Sequence, residues 1–165
     1  MPDLDITFDD ERLSRVRHGA VVVVTDPAVF RVEGAGALQC LQGLLTNDLA
    51  KPGDHSLVYG ALLTPKGAIV VDFWVTRMPD GFTMIAPAEA RKAALDLFQR
   101  QLPPRLARVT DQTGEARVAW VIGAQGFQTL AKAALGSLPE AAGRVAVVDT
   151  IQGRLQVALG PDQAP

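Results

Sequence analysis

Cysteine is nearly absent from this chain of 165 residues, and its scarcity excludes two kinds of site. Cys40 is the only cysteine, so neither an internal disulfide nor an all-cysteine metal or iron–sulfur ligand set can form within the chain. The two histidines, His18 and His55, are far apart in the sequence, and we expect no metal site. Cys40 itself is predicted to lie on the buried face of a helix as a core side chain.

Strong charge and long apolar runs are also missing. The formal net charge is −2, with 21% charged residues, and the basic residues are scattered, so nothing predicts nucleic acid as a partner. The longest apolar runs, such as residues 19–25, have the length of a strand, and the acidic N-terminus lacks the apolar core of a secretory signal. We therefore expect a cytoplasmic protein with no membrane partner.

What the chain does have is ordinary globular composition, with 48% hydrophobic residues, and enough length for one compact core. Its apolar spacing predicts an α+β fold with mostly antiparallel sheets and three helices. Strands are predicted over residues 20–24, 30–34, 57–63, 68–76, 82–86, 106–110, 116–122, 145–149 and 155–159, and helices over 35–45, 87–102 and 126–135.

Three more expectations concern how these elements are arranged. The valine-rich strand at 20–24 is expected to be buried on both faces of a sheet. Strands 106–110 and 116–122 are expected to pair, as are 145–149 and 155–159. Residues 19–160 are expected to form one domain, after a loose arm or short edge element over 1–18 and before a tail over 161–165.

Two glycine-containing turns precede predicted helices: Gly34-Ala35-Gly36 and Gly123-Ala124-Gln125-Gly126. They lack the third glycine of a dinucleotide-binding fingerprint and the Gly-Lys-Ser/Thr of a P-loop. Packing at the start of a helix is therefore favoured over phosphate binding.

Three small polar residues, Thr46, Asn47 and Asp48, follow the first predicted helix. Such side chains can end a helix by bonding to local backbone, which is the favoured interpretation. The alternative is that they present donors and acceptors to a ligand.

Asp72 interrupts an otherwise apolar strand, on the same face as Val70 and Trp74. A half-buried position is expected, and a functional and a surface role are equally supported. Tyr59, the only tyrosine, is more often a core residue in such a strand than a residue that stacks on a ligand. Lys66, in the turn between two strands, is usually solvated, although it could reach an anionic ligand tail.

Several of these blocks together resemble the N-terminal half of the YgfZ/GcvT-like folate-binding superfamily. The superfamily includes the aminomethyltransferase of the glycine cleavage system and the YgfZ-type proteins that support iron–sulfur enzymes. The matching blocks, in order, are Phe30–Gly34, Leu41-Gln42-Gly43, Leu45–Asp48, Tyr59–Leu63, Pro65-Lys66-Gly67 and Val71–Val75.

The resemblance implies tetrahydrofolate binding in a pocket built partly by the loop Thr46–Asp48, by Tyr59 and by Asp72, with Lys66 near the ligand's carboxylate tail. A reduced pterin offers flat faces to an aromatic ring and N–H donors to a carboxylate. Aminomethyltransferases carry two adjacent acids where this chain has Val71-Asp72, which disfavours a transferase.

The Lys-Gly-Cys block of the C-terminal half of YgfZ-type proteins is also absent, so we expect an engineered truncation, a fragment, or one part of a split protein. The function that the resemblance favours is a tetrahydrofolate-binding protein that supports iron–sulfur cluster assembly or repair. Its expected partners are folate, iron–sulfur proteins, or a chain that supplies the missing half. The alternatives are a folate-dependent aminomethyl or methyl transferase and an incomplete scaffold domain without tight ligand binding.

Overall fold

Residues 10–64, 66–132, 138–150 and 153–160 are described by a computed structural model of the chain. The strands span Val21–Thr25 (β1), Ala28–Glu33 (β2), Ser56–Leu63 (β3), Ile69–Met78 (β4), Gly81–Ala86 (β5), Arg108–Asp111 (β6), Val118–Ile122 (β7), Val145–Thr150 (β8) and Gly153–Ala158 (β9). The helices span Asp10–His18 (α1), Ala37–Gln42 (α2), Arg91–Gln101 (α3) and Gly126–Lys132 (α4), with a 3-10 turn over Ala88–Ala90 before α3. All pairings between these strands are antiparallel, which confirms the predicted α+β class. No helix in these ranges is long and apolar enough to cross a membrane.

The smaller of two compact units contains α1, β1, β7 and α4. β1 and β7 form a two-stranded ribbon in which Val21 lies opposite Ile122. Three helices were expected, and α1 is the additional one: residues 10–18 form a helix and not a loose arm. Its apolar periodicity is weak, but acids begin it, basic residues end it, and Glu11 pairs with Arg15 one turn later, all of which favour a helix.

The valine-rich strand β1 is exposed, so the expectation that it is buried on both faces is wrong. Val22, Val23 and Val24 are 56%, 41% and 67% exposed. In a two-stranded ribbon each strand has a single neighbour. β-Branched residues therefore favour the extended conformation here without ensuring burial.

The larger unit contains a five-stranded sheet in the order β3-β4-β5-β2-β6. The expected pairing of residues 106–110 with 116–122 is wrong, because β6 pairs with β2 and β7 pairs with β1. The register of β2 and β6 places Val109 opposite Val32, so pairing with β2 lets both valines pack on the core. That gain depends on a contact distant in sequence, which strand spacing does not reveal.

The core lies between one face of this sheet and the helices α2 and α3; we call this the inward face and the opposite one the outward face. Phe98 of α3 is 2% exposed and its ring centroid lies 5.5 Å from that of Phe30 and 5.8 Å from that of Phe73. Leu41 of α2 belongs to the same cluster. Strand alternation therefore turns the residues between these core positions toward the outward face.

The hairpin of β8 and β9 lies at the end of the sheet where β3 begins and β4 ends. The amide of Leu57 donates to the carbonyl of Gly143 over 2.7 Å, and the amide of Val145 donates to the carbonyl of His55 over 2.9 Å. The predicted pairing of these two strands is confirmed, while the turn residue Gln152 lies outside the described residues. The predicted tail at 161–165 and the predicted helix end at Gly136 also lie outside them.

The two glycine-containing turns have one construction. Gly34 (φ +133°) and Gly123 (φ +123°) each follow a strand, and each carbonyl accepts a hydrogen bond from an amide three residues later. A Cβ on Gly34 would lie 2.4 Å from the carbonyl oxygen of Leu106, and one on Gly123 would lie 2.5 Å from that of Gly19. Close backbone packing, which only glycine permits, therefore explains both turns.

Candidate functional site

The outward face of β3 and β4 carries a hydrogen-bonded pair of side chains. The Tyr59 hydroxyl donates to Oδ2 of Asp72 over 2.7 Å. Asp72 is half-buried, as expected, whereas Tyr59 is 44% exposed and does not lie in the core. The bond to the carboxylate, with some burial, raises the pKa of Tyr59 above its ordinary value, because a phenolate beside a carboxylate is disfavoured.

Trp74 extends this pair into an aromatic surface. It lies directly opposite Tyr59 in the strand register, with ring centroids 5.1 Å apart and ring planes at 56°. Trp74 and Asp72 are two residues apart on one strand and so share the outward face. The face thus presents two rings beside Oδ1 of Asp72, which accepts no hydrogen bond from a described residue.

The loop over residues 45–48 runs along the outer edge of β3. Leu45 forms an isolated bridge with Leu62. The Thr46 amide donates to the carbonyl of Ala61 over 3.0 Å, and the Ala61 amide donates to Oγ1 of Thr46 over 3.0 Å. Asn47 Nδ2 donates to the carbonyl of Tyr59 over 3.0 Å. Thr46 and Asn47 are therefore brought next to the strand that carries Tyr59.

Asp48 is used to shape this loop. Its Oδ1 accepts from the amide of Ala50 over 2.7 Å, from the amide of Lys51 over 3.0 Å and from Gln42 Nε2 over 3.0 Å. The bonds from the Lys51 and Ala50 amides hold the pKa of Asp48 below its ordinary value. This arrangement supports the capping interpretation of the Thr46–Asp48 segment, and a ligand contact by Asp48 stays a prediction.

Gln42 is a residue that sequence reasoning did not single out. Besides its bond to Asp48, its Oε1 accepts from the amide of Leu49 over 2.8 Å, so one side chain ties α2 to the loop. Its place in the Leu41-Gln42-Gly43 block was the available signal.

Lys66 lies exposed in the turn between β3 and β4. No hydrogen bond or ion pair within the described ranges joins it to Tyr59 or Asp72, so no contact brings it to the pair.

A depression of about 280 Å³ lies elsewhere in the larger unit. It is lined by Glu33, Gly34 and residues 104–108, at the β2–β6 side of the sheet. The described residues contain no group of three or more histidine, cysteine or acidic side chains that could hold a metal. The outward face of β3 and β4 instead suits a flat heterocycle with N–H donors, because it combines aromatic surface with a carboxylate acceptor.

The position before Asp72 has a different environment. Val71 is 2% exposed and packs in the core. Because successive residues of a strand point to opposite faces, a second acid at this position would point away from the Tyr59–Asp72 pair.

Comparisons with known proteins agree on one family. A family model described as the GCVT N-terminal domain matches residues 8–152. The chain is 30% identical over 118 residues to a tRNA-modifying protein YgfZ from Enterobacter sp. (strain 638), covering 72% of this chain and 34% of that protein. It is 45% identical over 60 residues to an aminomethyltransferase from Chlorobium chlorochromatii, covering 36% of this chain and 16% of that protein.

A solved structure shares the fold. The glycine cleavage system aminomethyltransferase T from Bartonella henselae superimposes with a TM-score of 0.74 at 20% identity, over 92% of this chain and 45% of that one. The chain thus spans about a third or less of the length of these two relatives and under half of the solved structure.

Proposed function

Because this chain belongs to the family of GCVT N-terminal domains, we propose that it binds tetrahydrofolate on the outward face of β3 and β4, as a binding protein and not a transferase. The observation that carries the proposal is the 2.7 Å hydrogen bond from Tyr59 to Asp72, beside Trp74. It orients the carboxylate and leaves Oδ1 to accept from the N–H groups of a pterin.

Each predicted site residue has a part in this proposal. Tyr59 and Trp74 supply apolar faces for the pterin ring, and Asp72 accepts from its amino and ring N–H groups. Thr46, Asn47 and Asp48 fix the edge of the face, and Lys66 offers a cation for the glutamate carboxylates of the folate tail. When bound, tetrahydrofolate would carry the one-carbon unit.

The cellular role that we propose is support of iron–sulfur cluster assembly or repair. The similarity to a YgfZ protein over 118 residues supports a place in the YgfZ-type branch of the family, for which this role is expected. Its partners would be iron–sulfur proteins or a polypeptide that supplies the rest of the fold. Deleting the gene should lower the activity of iron–sulfur enzymes in the cell, and restoring the wild-type gene but not the Asp72→Ala variant should recover it.

A transferase is the second candidate. The observation that favours it is the core position of Val71: a second acid there would not face the pterin, so its absence leaves the site's outward face unchanged. If the chain were a transferase, Asp72→Ala would lower turnover far more than it lowers affinity.

Binding can be measured by calorimetry with tetrahydrofolate under anaerobic, reducing conditions. We expect Asp72→Ala to weaken binding about tenfold to a hundredfold, the contribution of a hydrogen bond to a charged group. The matched control is Asp96→Ala, which removes an acid from the exposed surface of α3 and should leave affinity unchanged. Absence of any binding by the wild-type chain would overturn the proposal and favour a bare scaffold.

A further inference from the structure

The β8–β9 hairpin closes one end of the outward face. Just before the hairpin, Gly143 accepts from the amide of Leu57 in β3, and Val145 at the start of β8 donates to His55, the residue before β3. Gln156 accepts from Thr76 of β4, and Arg154 forms an ion pair of 3.8 Å with Asp80 in the turn after β4. These contacts run across the end of the sheet from β3 to the β4–β5 turn. The hairpin therefore lies across the strands at this end of the sheet.

Thr76 shows that the hairpin covers part of the outward face. Thr76 shares the outward face of β4 with Asp72 and Trp74, because strand residues two apart share a face. It is nevertheless only 3% exposed. Its hydroxyl donates to Oε1 of Gln156 over 2.7 Å, so the hairpin covers the position next to Trp74.

In this bond the Thr76 hydroxyl is the donor and Oε1 of Gln156 is the acceptor. The amide oxygen is occupied by Thr76, which leaves the two N–H groups of Nε2 as donors. Nε2 itself donates to no described residue, and the side chain is only partly buried. Gln156 therefore offers a hydrogen-bond donor at the end of the face where the hairpin stands.

Asp72 and Gln156 flank the aromatic surface with opposite hydrogen-bonding character. Asp72 and Thr76 are four residues apart, about 13 Å along the strand, with Trp74 midway. One end of Trp74 thus has an acceptor, Oδ1 of Asp72, and the other has a donor, Nε2 of Gln156. A flat heterocycle with N–H donors at one edge and a nitrogen lone pair at the other is complementary to this arrangement.

We propose that Gln156 contacts the ligand: its Nε2 donates a hydrogen bond to the edge of the heterocycle that is farther from Asp72. This inference rests on the proposed function and extends it to the β8–β9 hairpin. It also sets an orientation: the pyrimidine edge of the reduced pterin, with its N–H donors, would face Asp72, and N5 of the opposite ring, an amine that keeps a lone pair, would face the hairpin.

The test compares two substitutions of Gln156. Together they separate its contact with the ligand from its bond to Thr76. Gln156→Glu keeps an oxygen that can accept from Thr76 but replaces the donor by a second acceptor. Gln156→Leu removes both groups. Gln99→Glu makes the same change on the exposed surface of α3 and is the matched control.

The probes are tetrahydrofolate and 6-methyltetrahydropterin, which keeps the ring and lacks the tail. We expect both Gln156 variants to weaken binding of both probes about tenfold, with Gln156→Glu melting at the wild-type temperature and Gln99→Glu binding like wild type. The equal loss for the two probes would locate the contact at the ring.

The outcomes distinguish this inference from the function on which it rests. If wild type binds and Asp72→Ala weakens binding while Gln156→Glu binds normally, Gln156 only anchors the hairpin and the inference is overturned. A loss confined to tetrahydrofolate would also overturn it, since the tail and not the ring would then be read. If wild type binds neither probe, the proposed function itself fails.

Discussion

The Tyr59 hydroxyl and the Asp72 carboxylate are joined by a 2.7 Å hydrogen bond that crosses diagonally from β3 to β4. Tyr59 lies opposite Trp74 in the register, and Asp72 lies opposite Ala61. The bond and the carboxylate charge raise the pKa of Tyr59. A raised folded-state pKa means that this stabilisation is complete below the unfolded value of about 10 and is lost as pH rises through the folded value.

Titration of the phenol tests this pair directly, because Tyr59 is the only tyrosine. We expect the ultraviolet signal of tyrosinate to have a midpoint above 10 in the folded wild type and to return toward 10 in Asp72→Ala. The Asp96→Ala variant should titrate like wild type. Identical midpoints in wild type and Asp72→Ala would mean that the bond does not persist in solution.

The loop after α2 should give an acid-sensitive contribution to stability. The pKa of Asp48 is lowered chiefly by the Lys51 and Ala50 amides, so its contribution is present above the unfolded value of about 3.9 and is lost as pH falls through the folded value. We expect Asp48→Asn to reduce the difference between the melting temperatures at pH 7 and pH 3. An Asp149→Asn variant, altered on the exposed surface of β8, should keep the wild-type difference.

The aromatic core should depend on Phe98. Its ring contacts those of Phe30 and Phe73, and Phe98→Ala leaves a cavity that we expect to lower the free energy of unfolding by about 3–5 kcal/mol in urea titration. Phe127, which is 37% exposed on α4, is the same residue type in a more open position. A loss for Phe127→Ala as large as that for Phe98→Ala would contradict this account of the core.

The glycine turn before α2 should not accept a side chain. Gly53, in a different turn, gives the reference: a Cβ added there meets no atom within 4 Å at a φ of +74°. Gly53→Ala should therefore lower the free energy of unfolding by about 1 kcal/mol, from the left-handed conformation alone. Gly34→Ala adds a 2.4 Å approach to the carbonyl oxygen of Leu106, which should cost about 1–3 kcal/mol more. Chemical unfolding of the two variants gives this difference, and equal losses would show that the backbone relaxes freely at Gly34.

The α+β class and most strands of the larger unit could be predicted because their signals are local. Alternation placed Val71, Phe73 and Val75 together, and the turn residues between β3 and β4 marked the hairpin. The same alternation correctly placed Asp72 on a half-buried face beside Trp74. Periodicity needs no knowledge of distant contacts, which is why it succeeded there.

Most of the failures involve contacts that are distant in sequence, although α1 was missed despite its local charge pattern. Four valines in β1 predicted burial, but burial depends on which layer covers a strand. Tyr59 was expected in the core because aromatic strand residues usually are, whereas its hydroxyl finds Asp72 on the other face. Nothing local in Gln156 indicated that β9 would reach Thr76, since that bond joins residues 80 positions apart.

The many bonds that hold the loop over residues 45–48 have a kinetic consequence. Thr46, Asn47 and Asp48 are each fixed to β3 or to neighbouring backbone, so the edge of the face is ordered before any small molecule arrives. A preorganised surface needs no slow rearrangement on encounter. In stopped-flow mixing, the observed association rate should therefore rise linearly with ligand concentration and reach no plateau.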